Sequence, residues 1–316
     1  MQAVLIQDDE AVDLAAAALG ERPVRAVRQT LTASGKAVHR LDLPDGRTVV
    51  LRASDSARAF AYTPGNLEAL RSLGLPVQTV LASGPTPTGG SYVILDWLPG
   101  RDLVYELGGM TRGQMSRLAE QVVDCQRRVG RLPAALRFGW APVGRSGSLR
   151  TWTEMFGEAA SPEAADDGTP VGRLRARLCA LRRRVEPYFT TVRPTPFLDD
   201  LTTKNVLVEC GVLRGIIDVD FVCHGDPLLA TGATMAAIAG DVPEAGAAFY
   251  GEELVRCWNP DADQRLAVWF YAALWAIGSL GQTDAAARPA RARSLFQAAD
   301  GWLSAAEADR GPVAAA

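Results

Sequence analysis

Histidine is nearly absent from this chain: its 316 residues include two, His39 and His224. They stand too far apart in sequence to suggest a metal pair, and a structural role is expected of both. Cysteine is sparse and dispersed. Cys125, Cys179, Cys210, Cys223 and Cys257 form no CxxC pair or other metal-ligand spacing, so reduced thiols are expected rather than a disulfide framework. No apolar run reaches the roughly 18–20 residues of a membrane span. The most apolar stretch, Leu266 to Leu280, reads as a buried core helix. The opening residues, MQAVLIQDDEAVDLAAAALGE, carry acids where a secretory signal needs bases. A soluble, cytoplasmic protein without a membrane partner is therefore the expectation. A basic excess is missing too: 33 Lys and Arg against 36 Asp and Glu leave a net charge of -3. That argues against nucleic acid as the main partner and suits a neutral or cationic small ligand. No internal repeat and no Walker motif occurs.

What is present is enough apolar sequence, 48% of the chain, for two domains with real cores. A helix is expected from about Asp9 to Leu19, ended by Gly20. Strands are expected over Val24–Leu31, Ala37–Leu43 and Arg47–Arg52, the first two joined by the polar loop Thr32-Ala33-Ser34-Gly35-Lys36 and the last two by the turn Pro44-Asp45-Gly46. Thr63 and Pro64 open a helix with Leu67, Leu70 and Leu73 as its apolar stripe, and Gly74 closes it. Val77–Ala82 and Ser91–Trp97 read as two further strands. Leu98-Pro99-Gly100 breaks the pattern and places a boundary between a lobe of residues 1–98 and one of residues 99–316. The second lobe is mostly helical: Thr111 caps a helix to about Val129, Arg173–Val185 is a basic helix, and residues 230–308 are Ala-rich and helical. Strands first and helices after make the chain α+β with two segregated lobes.

The chemistry is concentrated in Phe197-Leu198-Asp199-Asp200-Leu201-Thr202-Thr203-Lys204-Asn205-Val206-Leu207-Val208. A turn at Glu209-Cys210-Gly211 follows, and then Leu213-Arg214-Gly215-Ile216-Ile217-Asp218-Val219-Asp220. An acid, an amide five residues on, and a strand–turn–strand that returns another acid are the parts phosphoryl transfer needs. A carboxylate takes the proton of the acceptor hydroxyl, and oxygen donors hold the Mg²⁺ that neutralises the phosphates. An Asp-x4-Asn alone is common; the hairpin, Ile217-Asp218 and Gly225-Asp226-Pro227 give it weight.

These segments resemble the catalytic and metal loops of the aminoglycoside phosphotransferase/choline kinase superfamily, relatives of the protein kinases. The resemblance implies a two-lobed kinase-like fold and transfer of a phosphoryl group from ATP or GTP to a hydroxylated small molecule, an aminoglycoside or other antibiotic among the candidates. It implies Asp200 as base, with Asn205 and Asp218 as Mg²⁺ ligands. It places Arg52, at the end of Val49-Val50-Leu51-Arg52, on the α- and β-phosphates, with Glu68 on the next helix as its partner. Ser34 and Gly35 would cover the phosphates, and the backbone of Asp96-Trp97-Leu98 would meet the adenine edge. Val50 with Ile94 or Ile217 would sandwich the base.

The chain departs from the family where Leu198-Asp199 stands for His-Gly and Thr202-Thr203-Lys204 precedes the Asn. A role for Asp199 stays open, and Lys204 either touches the transferring phosphate or faces solvent. Asp220 reads as a turn residue or a second metal contact, and Asp226 as a cap for the helix after Pro227. Acceptor contacts are sought among Trp152, Glu154, Glu158, Trp269, Tyr271 and Trp275, with core packing the competing role for the aromatics and solvent for the acids. A catalytically silent kinase-like binder and a nucleotidyl transferase are the alternative functions. The protein is expected as a monomer or homodimer.

Overall fold

The structure, a computed structural model, describes residues 6–31, 36–160 and 167–309. The chain forms two compact units: Met1–Pro99 together with Gly215–Phe221, and Gly100–Arg214 together with Val222–Ala316. The first unit thus includes residues 215–221, which the expected lobes of residues 1–98 and 99–316 put in the second. Ile216 is what brings them there. Its N–H donates to Pro76 O at 2.8 Å, and it bridges in parallel to Val77.

The first unit opens with α1 (Asp8–Leu19), whose end is marked by Gly20 at φ 76°. A chain reversal with positive φ needs no Cβ. Five antiparallel strands follow around one helix: β1 (Arg25–Leu31), β2 (Lys36–Asp42), β3 (Thr48–Ser54), α2 (Thr63–Ser72), β4 (Val80–Pro85) and β5 (Ser91–Asp96). The sheet order is β1-β2-β3-β5-β4. Alternation along β3 sorts its side chains by face. Val49, Leu51 and Ala53 pack with Leu41, Ile94 and the α1 residues Ala11 and Ala15, so Val50 and Arg52 point to the other face. The expected Val50–Ile94 sandwich is thereby corrected: Ile94 pairs with Leu51 in register and is spent in the α1 core. Thr63 is the first residue of α2 rather than its cap, the N-cap being Tyr62.

The second unit starts with β6 (Arg101–Asp102), α3 (Leu103–Glu106), α4 (Arg112–Val129), β7 (Gly139–Ala141) and α5 (Pro170–Phe189). Thr111 caps α4 in a reciprocal box with Gln114. Then come β8 (Thr195–Phe197), β9 (Val206–Glu209), β10 (Val212–Ile216) and β11 (Val222–Gly225). The closing helices are α6 (Leu228–Asp241), α7 (Ala248–Trp258), α8 (Ala262–Gln282) and α9 (Pro289–Ala308). Two small sheets run β10-β9-β6 and β7-β11-β8. The β9–β10 turn has Cys210 at φ 53° and Gly211 at φ 77°, the two positive angles a tight hairpin requires. The basic face of α5 is used by α9, where Arg177 pairs with Asp300 and, at 2.8 Å, with Glu307.

The core of the second unit is aromatic. Trp152, Phe156, Phe189, Phe197, Phe270 and Tyr271 pack edge to face and stacked around α8. Trp152 Nε1 donates to the Tyr271 hydroxyl, and that hydroxyl donates to Asp226 Oδ2, both at 2.8 Å. Tyr188 gives a second hydroxyl to the same oxygen at 2.8 Å, and Asp226 Oδ1 accepts the Leu228 N–H at 3.0 Å. Asp226 thus satisfies the first N–H of α6 from within the core, although the N-cap position itself is Pro227. Gly225 before it is obligatory for a packing reason: a Cβ there would sit 2.0 Å from Trp152 Cζ3.

Two predictions follow from this core. Gly225→Ala should destabilise the second unit by about 3 kcal/mol, the upper range for overpacking, read as a lowered urea midpoint with an unchanged slope; a shift under about a third of that would mean the Trp152 ring yields freely. Burial raises the Asp226 carboxyl above its ordinary value, its hydrogen bonds opposing this only in part. An acid whose folded pKa is raised contributes stability below its unfolded value, about 3.9, and loses it as pH climbs through the folded one. The melting temperature of the native protein relative to Asp226→Asn should therefore rise as pH falls from neutral toward the unfolded value of about 3.9; a fall would reverse the sign assigned here.

Candidate active site

In the second unit the loop between β8 and β9 carries Asp200 and Asn205. Its entry is fixed by a glutamine that the sequence did not single out. Gln126, buried on α4, donates from Nε2 to Leu198 O at 2.7 Å and accepts the Leu198 N–H on Oε1 at 2.9 Å. Further along, Thr203 O accepts the Val104 N–H at 2.9 Å, and the Thr234 hydroxyl reaches Leu201 O at 3.3 Å. With its flanks held, the loop presents Asp200 to solvent. Asn205 Nδ2 donates to Asp200 Oδ2 at 2.7 Å and to Asp200 O at 2.8 Å, and the Thr202 hydroxyl donates to Oδ1 at 3.2 Å. Both Asn205 bonds use Nδ2, and none among the described residues uses Oδ1, the atom a hard cation would take.

Asp199, whose role was open, is held by the indole of Trp140 on β7, Nε1 to Oδ2 at 2.7 Å. Burial pushes its carboxyl up, and the neighbouring Asp200 charge adds to that while the Trp140 bond opposes it. The Trp140 ring is 53% exposed, an aromatic plate next to the acid that precedes Asp200. Lys204 faces solvent, one of its two expected placements, with its side chain 63% exposed and its ammonium 3.0 Å from Asp241 Oδ2 at the end of α6, where Arg291 also binds.

In the first unit Arg52 is 8% exposed. It donates from Nη2 to Asp218 Oδ1 at 2.7 Å and to Asp220 Oδ2 at 2.7 Å, and from Nη1 to Asp220 Oδ1 at 3.1 Å. Its guanidinium carbon lies 5.2 Å from the centroid of the Phe60 ring. The expected Arg52–Glu68 pair does not form. Glu68 has a side chain 78% exposed and sits 4.0 Å from Arg71 on its own helix, because it points off the outer face of α2. The acid that holds Arg52 is Asp220, which the sequence marked only as a turn residue or metal contact. Burial raises the Asp220 carboxyl, but the charges of Arg52 and Lys36 and the Thr63 hydroxyl outweigh it and bring it below the ordinary carboxylate value. Asp218 has φ 59°, a left-handed backbone that a non-glycine residue adopts at a cost and that clusters at functional sites.

In the first unit the Asp218 carboxylate, and in the second the Asn205 amide oxygen, are each donors of the type Mg²⁺ takes. Among the described residues no group of three or more His, Cys, Asp or Glu could hold a metal. Mg²⁺ in nucleotide sites takes most of its ligands from phosphate and water, so one or two such protein donors suffice.

Of the remaining expected contacts, Ser34 and Gly35 lie outside the described residues. The backbone of Asp96 is engaged within the unit: its N–H donates to Thr79 O at 3.0 Å and its carbonyl accepts Gln78 Nε2 at 2.9 Å. The Asp96 N–H is thereby used within the unit, while its carbonyl keeps a second lone pair. The Trp97 ring stacks under Arg40, 5.0 Å from centroid to guanidinium carbon. Trp152 and Tyr271 are core residues, Trp269 is half-buried against the same core, and Trp275 is exposed. Glu154 closes its own turn by accepting the Arg150 N–H at 3.0 Å. His39 and His224 are both buried. No helix among the described residues is long and apolar enough to cross a membrane.

Comparison with known proteins came to a consistent result. A model of the phosphotransferase enzyme family (APH) matches residues 24–254. No curated protein matches the chain. Among solved structures, a thermostable mutant of aminoglycoside phosphotransferase APH(4)-Ia superposes with TM-score 0.69 at 16% identity, over 95% of this chain and 99% of that one. The same protein has been solved with ADP and hygromycin B; that complex gives TM-score 0.67 at 16% identity, over 93% of this chain and 98% of that one. A fructosamine-3-kinase homologue from Thermobifida fusca gives TM-score 0.56 at 17% identity, over 93% of this chain and 98% of that one. At these identities the likeness is one of fold.

Proposed function

Taking as premise that this chain belongs to the phosphotransferase enzyme family, and is thus a small-molecule kinase, we propose that it moves the γ-phosphoryl group of ATP or GTP to a hydroxyl of a polyhydroxylated small molecule. Asp200 is the base, Asn205 and Asp218 hold Mg²⁺, and Arg52 grips the phosphates. The observation that carries the reading is the Asn205–Asp200 pair: the amide fixes an exposed carboxylate through Nδ2 while its Oδ1 stays available to a cation. A catalytic base needs that combination of fixed geometry and open access.

In the step itself the acceptor O–H gives its proton to Asp200. The acceptor oxygen bonds the γ-phosphorus, the bridging P–O bond to the β-phosphate breaks, and its electron pair leaves with the nucleoside diphosphate. Mg²⁺, when bound, supplies neutralisation of the charge that builds on the phosphate oxygens. Arg52 cannot lose its proton and offers a planar fork, so it contributes a fixed positive charge to the same end. For the acceptor, the exposed Trp140 plate and the Asp199 carboxylate behind it suit the face of a sugar-like ring with a basic substituent. The aminoglycoside phosphotransferase solved with hygromycin B makes that class the first to screen.

Thermal melting with ATP or GTP, with and without Mg²⁺, tests the nucleotide site. A ligand at about 100 times its Kd should stabilise the fold by about 2.7 kcal/mol, and no shift with either nucleotide would remove the reading. Asp200→Ala should lower kcat about 10²–10⁴-fold while leaving nucleotide affinity within about threefold. Asp218→Ala should instead weaken the Mg²⁺-dependent part of nucleotide binding. Equal turnover in both variants and the native protein would overturn the assignment of roles.

A further inference from the structure

The cation that the family places on the nucleotide phosphates needs a carboxylate to hold it, and α2 does not supply one. In its place one buried side chain gathers every donor in the neighbourhood. Asp220 is 7% exposed. It receives Arg52 on both carboxylate oxygens, at 3.1 and 2.7 Å. Lys36 Nζ, at the start of β2, lies 3.1 Å from Oδ2, and the Thr63 hydroxyl donates to Oδ1 at 2.8 Å. Asn66, one turn further along α2, donates to the Asp220 backbone carbonyl. One residue therefore ties β2, β3 and α2 together.

Two cations meet at this carboxylate, and both face the Phe60 ring, Arg52 at 5.2 Å and Lys36 at 5.8 Å from its centroid. Arg52 and Lys36 bring two positive charges against the carboxylates of Asp220 and, through Arg52, of Asp218, and both cations are aimed by Asp220, a carboxylate that cannot itself bind an anion. An arginine is matched to the task. Its fork holds Asp220 with two N–H groups and still turns one of them to Asp218, where a lysine would be a point charge without fixed direction. Phosphate oxygens, charged acceptors that can take two parallel N–H bonds from one planar fork, are the ligand such a fork recognises.

We propose that Asp220 is the positioning carboxylate of the nucleotide site, standing in for the absent helix acid, and that it sets Arg52 and Lys36 as a two-cation clamp for the phosphates of a nucleoside triphosphate. The proposal rests on the phosphotransferase reading and adds Lys36 as a phosphate-binding residue.

The test is equilibrium binding of ATP by calorimetry without Mg²⁺, so that the metal ligands play no part. It uses the full chain and the variants Asp220→Asn, Lys36→Met, their double, Thr63→Val and Glu68→Ala. Simple electrostatics predicts that removing a carboxylate near a polyanion tightens binding. Positioning predicts the opposite: Asp220→Asn weakens ATP about tenfold or more, the worth of a charge-assisted hydrogen bond. Lys36→Met weakens it several-fold, about three to five, and the double variant is no weaker than Asp220→Asn alone, since the clamp is already lost. Thr63→Val keeps the shape of the side chain and removes one bond to Asp220. It should weaken ATP about twofold to threefold and serves if Asp220→Asn does not fold. Glu68→Ala should change nothing. Unchanged or tighter ATP binding by folded Asp220→Asn, or by Thr63→Val where that variant alone folds, overturns the clamp while leaving the phosphotransferase reading in place. Additive losses in the double variant overturn it too. If the native protein binds neither ATP nor GTP, the phosphotransferase reading fails and the clamp fails with it.

Discussion

The first unit depends on one buried carboxylate. Asp220 is joined to Lys36, Arg52, Thr63 and Asn66, partners between 154 and 184 positions away in sequence. A charge at that depth is unfavourable unless its lone pairs are filled, and here they are filled by two cations and a hydroxyl. This constraint explains why residues 215–221 belong to a unit formed otherwise by the first 99 residues. The short segment is held by its charge as much as by the backbone bond at Ile216. It also distinguishes the two sides of β3: the face opposite the α1 core carries Val50 and Arg52, and Arg52 is the cation Asp220 holds.

The second unit is organised around another acid of the same stretch of chain. Asp226 follows Asp220 by six positions and is satisfied by neutral donors, the hydroxyls of Tyr188 and Tyr271 and the Leu228 N–H. The two acids answer burial in opposite ways. Cations hold the Asp220 carboxyl below its ordinary value, and burial raises that of Asp226. Between them the chain passes from one unit to the other, with Asp218 in a left-handed backbone near the start of the passage. Asp218 thus stands two positions before an acid rooted in the first unit, and a rooted neighbour gives a strained residue a defined position.

Much of this was legible in the sequence wherever the signal is local. The five strands of the first sheet, the capped α4 and the Asp200–Asn205 spacing depend on neighbours a few residues apart, and alternation, turn residues and caps record them. Thr63 shows the limit. A threonine before a proline carries a cap signature, yet its hydroxyl serves a carboxylate 157 positions away. Ile94 and Glu68 fail for a related reason: their residue types suit the roles expected, but register and helix phase turn them to the wrong face. Gln126 holds Leu198 through a backbone contact that leaves no pattern in either segment. Trp140 sits on a strand of three residues, too short for period-two alternation to announce it.

Moving the holding carboxylate from α2 to the loop after Asp218 changes what is coupled to what. A glutamate on a helix would tie the grip on Arg52 directly to the position of that helix. Here α2 is linked through Thr63 and Asn66, neutral groups that bond Asp220 rather than Arg52. The helix therefore senses the loop, and the loop holds the cations. A neutral hydroxyl or amide bond contributes about 1 kcal/mol, and a bond to a charged group about twice that. The cations are consequently bound more firmly to the segment carrying Asp218 than α2 is, and Asp218 is the residue expected to meet the metal. If α2 shifts or frays, Arg52 and Lys36 can stay aligned with Asp218, because their common anchor is two residues away from it on the same loop. The arrangement puts the common anchor of both cations on the same short segment as Asp218, and it makes the missing helix acid unnecessary to their alignment.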